Sequence, residues 1–356
     1  MLIDLHGVII ACETSDETIQ QRWAQSFSSR PQVADCAPDI TFTLRLAPCV
    51  PAAPDAPPIF TQGDLLSVHQ LPTNEPTNHP STLLRTSLTI VHFPRFGQLR
   101  IALDESHVAG ELVVAALDTY GVFEDVVAMG LTALLRRRHL FLIHAFAAAF
   151  PDPTHPEPVE GRGRSGGGRA LLLVGDIGSG KTTTGLSLLR AGWKLLSNDS
   201  PLLSDTGQGT SGKGVVAFAY PGLLSAYDDT LNRFNELALL LRSPAPMLPS
   251  AENARHKIIF AAESVYPDVW IESAPVGAMV FPRVAHLPTH RVTRLSQADA
   301  LRRLLPHAID RWDTALIPEH LALLKTLVAN APAYQLELGE NVETLPDVLG
   351  ELLAGN

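Results

Sequence analysis

The nine residues GDIGSGKTT, Gly175 to Thr183, match the spacing G-x-x-x-x-G-K-[ST]. Placed between an apolar strand and a helix, that spacing makes a phosphate-binding loop. Gly175, Gly178 and Gly180 let the backbone curl until successive N–H groups point at phosphate oxygens, helped by the positive end of the helix dipole. Lys181 supplies a mobile positive charge. The Thr182 hydroxyl is placed to ligate Mg²⁺, and Thr183 extends the helix start with a hydroxyl able to donate to a phosphate. Ile177 and Ser179 complete the loop. Asp176 is unusual there, because it brings negative charge toward the phosphates; it faces either Lys181 or solvent.

The flanking segments have to hold that loop in place. RALLLV (169–174) has the length and apolarity of a buried strand, and TTTGLSLLRAG continues as a helix that Gly192 closes in the manner of a C′ glycine. WKLL is then expected to form a strand lying parallel beside the loop strand through a right-handed crossover. Asp199 follows it directly. Parallel α/β sheets gather ligands at the carboxyl ends of their strands, so Asp199 stands where a metal or nucleophile contact is needed, or else it caps a turn.

With these residues in view, the stretch resembles the HPr kinase/phosphorylase-related kinases, whose P-loop domain is similar to that of phosphoenolpyruvate carboxykinases. In that family a histidine on the strand before the loop is followed by a hairpin, the phosphate loop, a short helix ending in Arg-Ala-Gly or a similar triplet, and a strand ending in Asp-Asp. His144 in LIHAFAAAF, the loop itself, LLRAGWKLL and Asn198-Asp199 fall at the matching places. The match is good over 140 to 200 and weaker around Lys257 and APVGAMVFPRV. It implies an α/β fold with a mixed sheet and ATP, or another nucleoside triphosphate, bound with Mg²⁺ by residues 175–183. The catalytic residues it implies are Asp199, His144 and Lys181, with Thr182 and Asp199 on the metal. The implied reaction moves a γ-phosphoryl group to a hydroxyl acceptor, either a protein or peptide serine or a small alcohol. Asn198 departs from the pattern, since the family carries there the aspartate that takes the acceptor's proton. Asn cannot accept it, and the Glu-bearing glycine-rich signature is missing downstream; both argue against phosphorylation of HPr itself and against the reverse reaction. A nucleotide- or phosphate-sensing module is the alternative. Carboxykinase-type chemistry would need metal ligands that the sequence does not offer.

Around this segment the chain divides into a smaller β-rich N-terminal domain ending in helices, 1–128, able to present the acceptor, and a kinase-like domain, 129–356. Up to about Asp104 the apolar runs are short and β-like: MLIDLHGVII as a first strand, then DITFTLRL, DLLSVHQL and SLTIVHF, broken by proline-rich links. Helical spacing takes over from Glu111 to Arg138, as two helices meeting near Gly121, with Arg136, Arg137 and Arg138 at the end of the second, where cations suit the dipole. LFLIHAFAAAF (140–150) reads as one buried strand. The Pro/Gly-rich 151–168 reads as a flexible insertion before the next. Further on, a helical stretch is expected around YDDTLNRFNELALLLR, a strand at APVGAMVFPR, and helices at about 297–308 and 315–330. Asp228 and Asp229 cap the first of these or reach the nucleotide. His286 and His290 flank Pro288 in a loop, which disfavours a helical metal pair. Ser200 and Ser204 lack a nucleophile elbow.

The chain has 356 residues, 46% of them hydrophobic, and its 27 basic against 37 acidic residues give a net charge of -10. That balance argues against a nucleic-acid partner. Three cysteines, Cys12, Cys36 and Cys49, without paired spacing suggest reduced thiols in a cytoplasmic protein. The start carries no basic leader and no apolar run spans a bilayer, so neither secretion nor a membrane partner is expected. Whether the chain forms a homo-oligomer stays open.

Overall fold

The computed structural model describes residues 1–72, 87–119, 121–151, 168–205, 214–240, 257–308 and 311–354. The expected insertion at 151–168 falls on 152–167, outside the described residues. The fold is mixed α/β, and it separates into two compact units. One comprises Met1–Arg138 with Arg311–Thr314; the other takes the remaining described residues from His139 onward.

In the first unit the opening decapeptide forms a hairpin instead of one strand, β1 (Leu2–Leu5) against β2 (Val8–Glu13). The turn is His6-Gly7, with φ of 57° and 85°, the left-handed pair that a two-residue hairpin turn requires. A helix then appears in a region that reads as β: Asp16 accepts from the Thr18 and Ile19 N–H groups and caps α1 (Glu17–Ser26). β3 (Gln32–Val33), β4 (Ile40–Leu46), β5 (Phe60–Gln62), β6 (Leu66–Pro72), β7 (Ser87–Phe93), β8 (Gly97–Ala102) and β9 (His107–Leu112) complete a sheet ordered β3-β1-β2-β4-β9-β8-β7-β6-β5. α2 (Val114–Asp118) and α3 (Val122–Arg136) meet at Gly121, as their spacing suggests. Trp23 of α1 packs on Phe27 and Phe42 at ring distances of 4.8 and 5.3 Å, at the centre of the core. At the end of α3, Arg136 and Arg137 reach the buried Asp313 at 3.4 and 2.9 Å, and Arg138 reaches Asp39 at 3.1 Å. The basic triplet therefore ties the unit to itself.

The second unit contains β10 (Phe141–Leu142), β11 (Ala145–Ala149), β12 (Ala170–Val174), α4 (Lys181–Arg190), β13 (Lys194–Ser197), β14 (Leu202–Ser204), β15 (Val216–Phe218), β16 (Leu224–Tyr227), α5 (Asp228–Leu231), β17 (Lys257–Phe260), β18 (Ser273–Leu287), β19 (Arg291–Arg294), α6 (Gln297–Ala308), α7 (Ile317–Asn330), β20 (Ala333–Gly339) and α8 (Leu345–Ala354). Its sheet runs β10-β14-β15-β18-β12-β11-β13, and β20 pairs with β18 and β19. Residues of β12 alternate between two cores. Leu171 and Leu173 join Leu186 and Leu189 of α4 and Leu349 of α8, while Ala170, Leu172 and Val174 join Leu304 of α6 and Leu324 of α7. A strand covered on both faces has no polar side, which is why ALLLV reads as a continuous apolar run.

In this unit three expectations need correction. The run 140–150 is two strands, because β10 leaves to pair with β14 while β11 pairs with β12 and β13. β13 is not the neighbour of the loop strand; β11 lies between them and pairs antiparallel with both, because the chain returns from β11 directly into β12 and so occupies that edge of the loop strand. The helix expected from Tyr227 shrinks to the single turn of α5, since Tyr227 itself belongs to β16.

The cysteines generate the first prediction. Cys12 in β2 is buried and Cys36 and Cys49 are exposed. Burial pushes the Cys12 thiol up from 9.0 to about 12. The folded state thus holds a proton that the unfolded chain releases, so stability should fall as pH rises from 9 toward 12, by up to about 1.4 kcal/mol per pH unit. Denaturant titrations at stepped alkaline pH should show this slope, and Cys12→Ala should flatten it. A thiol reagent at neutral pH should label Cys36 and Cys49 rapidly and leave Cys12 unreacted until unfolding.

Candidate active site

β12 ends at Val174, and six residues of loop lead into α4. Gly180 closes that loop with φ 102°, in the left-handed region, and a Cβ there would overlap Leu338 Cδ1 on β20. Both conditions demand glycine. No side chain caps α4, and its first backbone bond runs from the Thr184 N–H to the Gly180 carbonyl at 2.9 Å. The N–H groups of Lys181, Thr182 and Thr183 are therefore left without an intrahelical acceptor at the positive end of the helix, a ready seat for an anion. Ser179 Oγ, buried within the loop, has no hydrogen-bond partner among the described residues. Ile177 stands at the loop tip, 71% exposed.

Lys181 is buried, and its Nζ donates to the Gly175 carbonyl and, at 3.1 Å, to that of Asp176. Burial lowers the pKa of this ammonium, Asp199 and Asp176 work in the opposite direction, and Lys257 adds to the lowering. Lys181 thus waits as a desolvated cation, and an arriving anion would relieve it.

The strand directions bring the other residues to the same place. β12, β13, β18 and β20 run one way and β11 runs the other, so the carboxyl ends of β12 and β13 meet the amino end of β11. Ala145 is opposite Val174, and the Ala145 N–H donates to the Asp199 carbonyl at 2.8 Å. His144 sits in the break between β10 and β11 instead of inside a strand, with 38% of its side chain exposed. Its N–H leaves the ladder and donates to the His307 carbonyl at the end of α6, 2.7 Å away. His144 Nδ1 lies 3.2 Å from Asp199 Oδ1. Its other ring nitrogen is thereby left to face a different group, and the carboxylate orients the ring.

Asn198 has been absorbed into the scaffold: its Nδ2 donates to the Leu223 carbonyl at 2.7 Å. Thr183 Oγ1 lies 3.2 Å from Thr230 Oγ1 in α5, where Asp229 accepts from the Thr230 N–H. Asp229 thus serves its own short helix. Lys257 of β17 rests over the Tyr227 ring at 5.1 Å. His290 accepts from the Gly339 N–H and donates to the Asn341 carbonyl, so both its nitrogens are spent on a turn. Among the described residues no group of three or more His, Cys, Asp or Glu could hold a metal ion.

One residue escapes sequence reasoning altogether. His307 closes α6, an amphipathic helix whose sequence looks like scaffold, yet its ring faces that of His144 at 6.0 Å and 25°, and its Nε2 lies 3.9 Å from Asp176 Oδ1 in the loop. Only the fold could have shown this, since 131 positions separate the two. Asp176 does face solvent, with its side chain 95% exposed, but it does so beside an imidazole.

Among solved structures, the chain is similar to the Hpr(Ser) kinase/phosphatase from Coxiella burnetii, at 10% sequence identity and a TM-score of 0.25, over 60% of this chain and 94% of that one. No family model matches the sequence, and no curated protein matches it. At so low a score the likeness carries no weight, and what the site can do rests on its own residues. No helix among the described residues is long and apolar enough to cross a membrane.

The seat of α4 can be tested directly. A Cβ at Gly185 would come within 2.7 Å of Phe146 Cδ2 and closer still to two other ring atoms. Gly185→Ala gains helix propensity of about 1 kcal/mol, but overpacking against a fully buried ring costs about 1 to 3 kcal/mol. Urea denaturation should show a net loss.

Proposed function

We propose that this chain is an ATP-dependent kinase of the HPr-kinase-like kind, transferring a γ-phosphoryl group to a hydroxyl acceptor. The observation that carries this reading is the pairing of Asp199 with His144 at 3.2 Å, at the strand ends from which the phosphate loop also departs. The residues fit a nucleotide polyphosphate: three helix-start amides without intrahelical acceptors, an unpartnered Ser179 hydroxyl and a buried Lys181 ammonium converge on one loop. Residues 175–183 would hold the phosphates, and Thr182 and Asp199 would hold Mg²⁺. When bound, Mg·ATP supplies the transferable phosphoryl group and a reduced charge on it.

The chain's own residues then have separate tasks. Lys181 and the amides of Lys181, Thr182 and Thr183 bind and orient the phosphates. Asn198 accepts no proton and is committed to the Leu223 carbonyl, so the task of taking the acceptor's proton passes to the neighbouring pair. Asp199 holds His144 through Nδ1, and the remaining nitrogen, Nε2, accepts the proton of the acceptor hydroxyl. The acceptor is a protein or peptide serine or a small alcohol.

Kinases commonly leak phosphate to water, so Mg·ATP binding and slow phosphate release can be followed before any acceptor is known. Lys181→Ala should weaken binding roughly 10- to 100-fold, the size of a lost charge-assisted contact. His144→Gln should leave binding within a few-fold of wild type and lower release roughly 10²- to 10⁴-fold, and Asp199→Asn should lower it too. Binding without release in the wild-type protein would instead favour a nucleotide-sensing module.

A further inference from the structure

We propose that His307 is a positioning residue of the phosphate site, the counter-group that lets an acidic loop accept a polyphosphate. This rests on the phosphate-loop reading above. Asp176 is the loop's own problem: a carboxylate next to the seat of the phosphates repels them, and the repulsion grows as a bound ligand displaces water. The structure answers with an imidazole from a distant helix, His307 Nε2, 3.9 Å from Asp176 Oδ1. Burial fixes the direction of that ring, for 87% of the His307 side chain is covered. Its own carbonyl accepts from the His144 N–H, so the same residue anchors the end of α6 to the start of β11.

The titratable groups facing His307 come from each neighbouring element: Asp176 from the loop, Lys181 from α4 and His144 from the lead into β11. Burial holds the imidazole below its ordinary pKa, with His144 and Lys181 adding to this and Asp176 opposing it. With the ring held by burial, Nε2 already faces Asp176, and when phosphates cover the loop its N–H holds that carboxylate away from them. His307 touches neither the transferred group nor the acceptor in this role; it acts through Asp176.

A double-mutant cycle reads this coupling, with Mg·ATP and metal-free inorganic pyrophosphate as probes. His307→Ala should weaken both roughly tenfold in the wild-type background, the size of a lost charge-assisted contact. In the Asp176→Asn background the same change should alter affinity less than twofold, because no loop charge remains to be offset. Equal losses in the two backgrounds would overturn the proposal, since a structural histidine would be missed whatever stands at 176. His307→Gln keeps a donor and should restore most of the affinity lost with alanine; failure to restore any would likewise count against it. A second readout needs no ligand: the imidazole nitrogen shifts of His307, followed by NMR against pH, should titrate at lower pH in Asp176→Asn than in wild type. An unmoved midpoint overturns the pairing. A moved midpoint in a protein that binds neither probe supports the pairing while rejecting the nucleotide reading.

Discussion

Close approach between α4 and the sheet is the constraint on which the rest of the second unit depends. The helix comes down on Phe146 at Gly185, where a side chain would not fit, and its first turn is pinned by Gly180 against Leu338 of β20. Leu186, Leu188 and Leu189 then close over Leu171 and Leu173, and Ser187 Oγ donates to the Val342 carbonyl at 2.6 Å, so four separate elements agree on the helix position. The open amides of its first turn inherit that rigidity. An anion seat made from backbone dipoles works only if the dipoles need not reorganise when the ligand arrives, and here the ordering has been done in folding.

Charge is handled with similar economy. The chain carries a net charge of -10, and yet the loop holds Lys181, whose ammonium also feels the charge of Lys257. Local cations inside an acidic protein work over short range, because mobile ions screen the more distant surface. Carboxylates at Asp176 and Asp199 keep this cluster from being merely repulsive to itself, and each of them has an imidazole beside it.

Much of this was legible before the fold was known, and the reason is locality. The loop spacing, the continuous apolar run of ALLLV, the Gly192 stop and the helices at about 297–308 and 315–330 are all set by neighbours within a few positions, so a linear reading reaches them. What escaped was set by pairing across the sheet. Nothing in LFLIHAFAAAF says that its first half will pair with β14 and its second with β12 and β13, yet that division is what turns His144 out of the core. β13 was placed beside the loop strand because a crossover helix usually joins neighbours; the hairpin β11–β12 had taken that position. α1 was hidden because its cap, Asp16, follows a β-rich start, and His307 because its partner belongs to another element altogether.

Asn198 has a consequence for how this site can change. Its amide is held by the Leu223 carbonyl, and its Oδ1 faces Gly222, where a Cβ would come within 2.9 Å of it. A carboxylate at 198 would set acceptor against acceptor there and leave the Leu223 carbonyl without its donor, a loss of about 1 to 3 kcal/mol. Exchanging Asn198 for aspartate therefore works against the local scaffold. The choice between amide and acid at 198 is thus made by the turn at Gly222 and Leu223, through a carbonyl that calls for a donor.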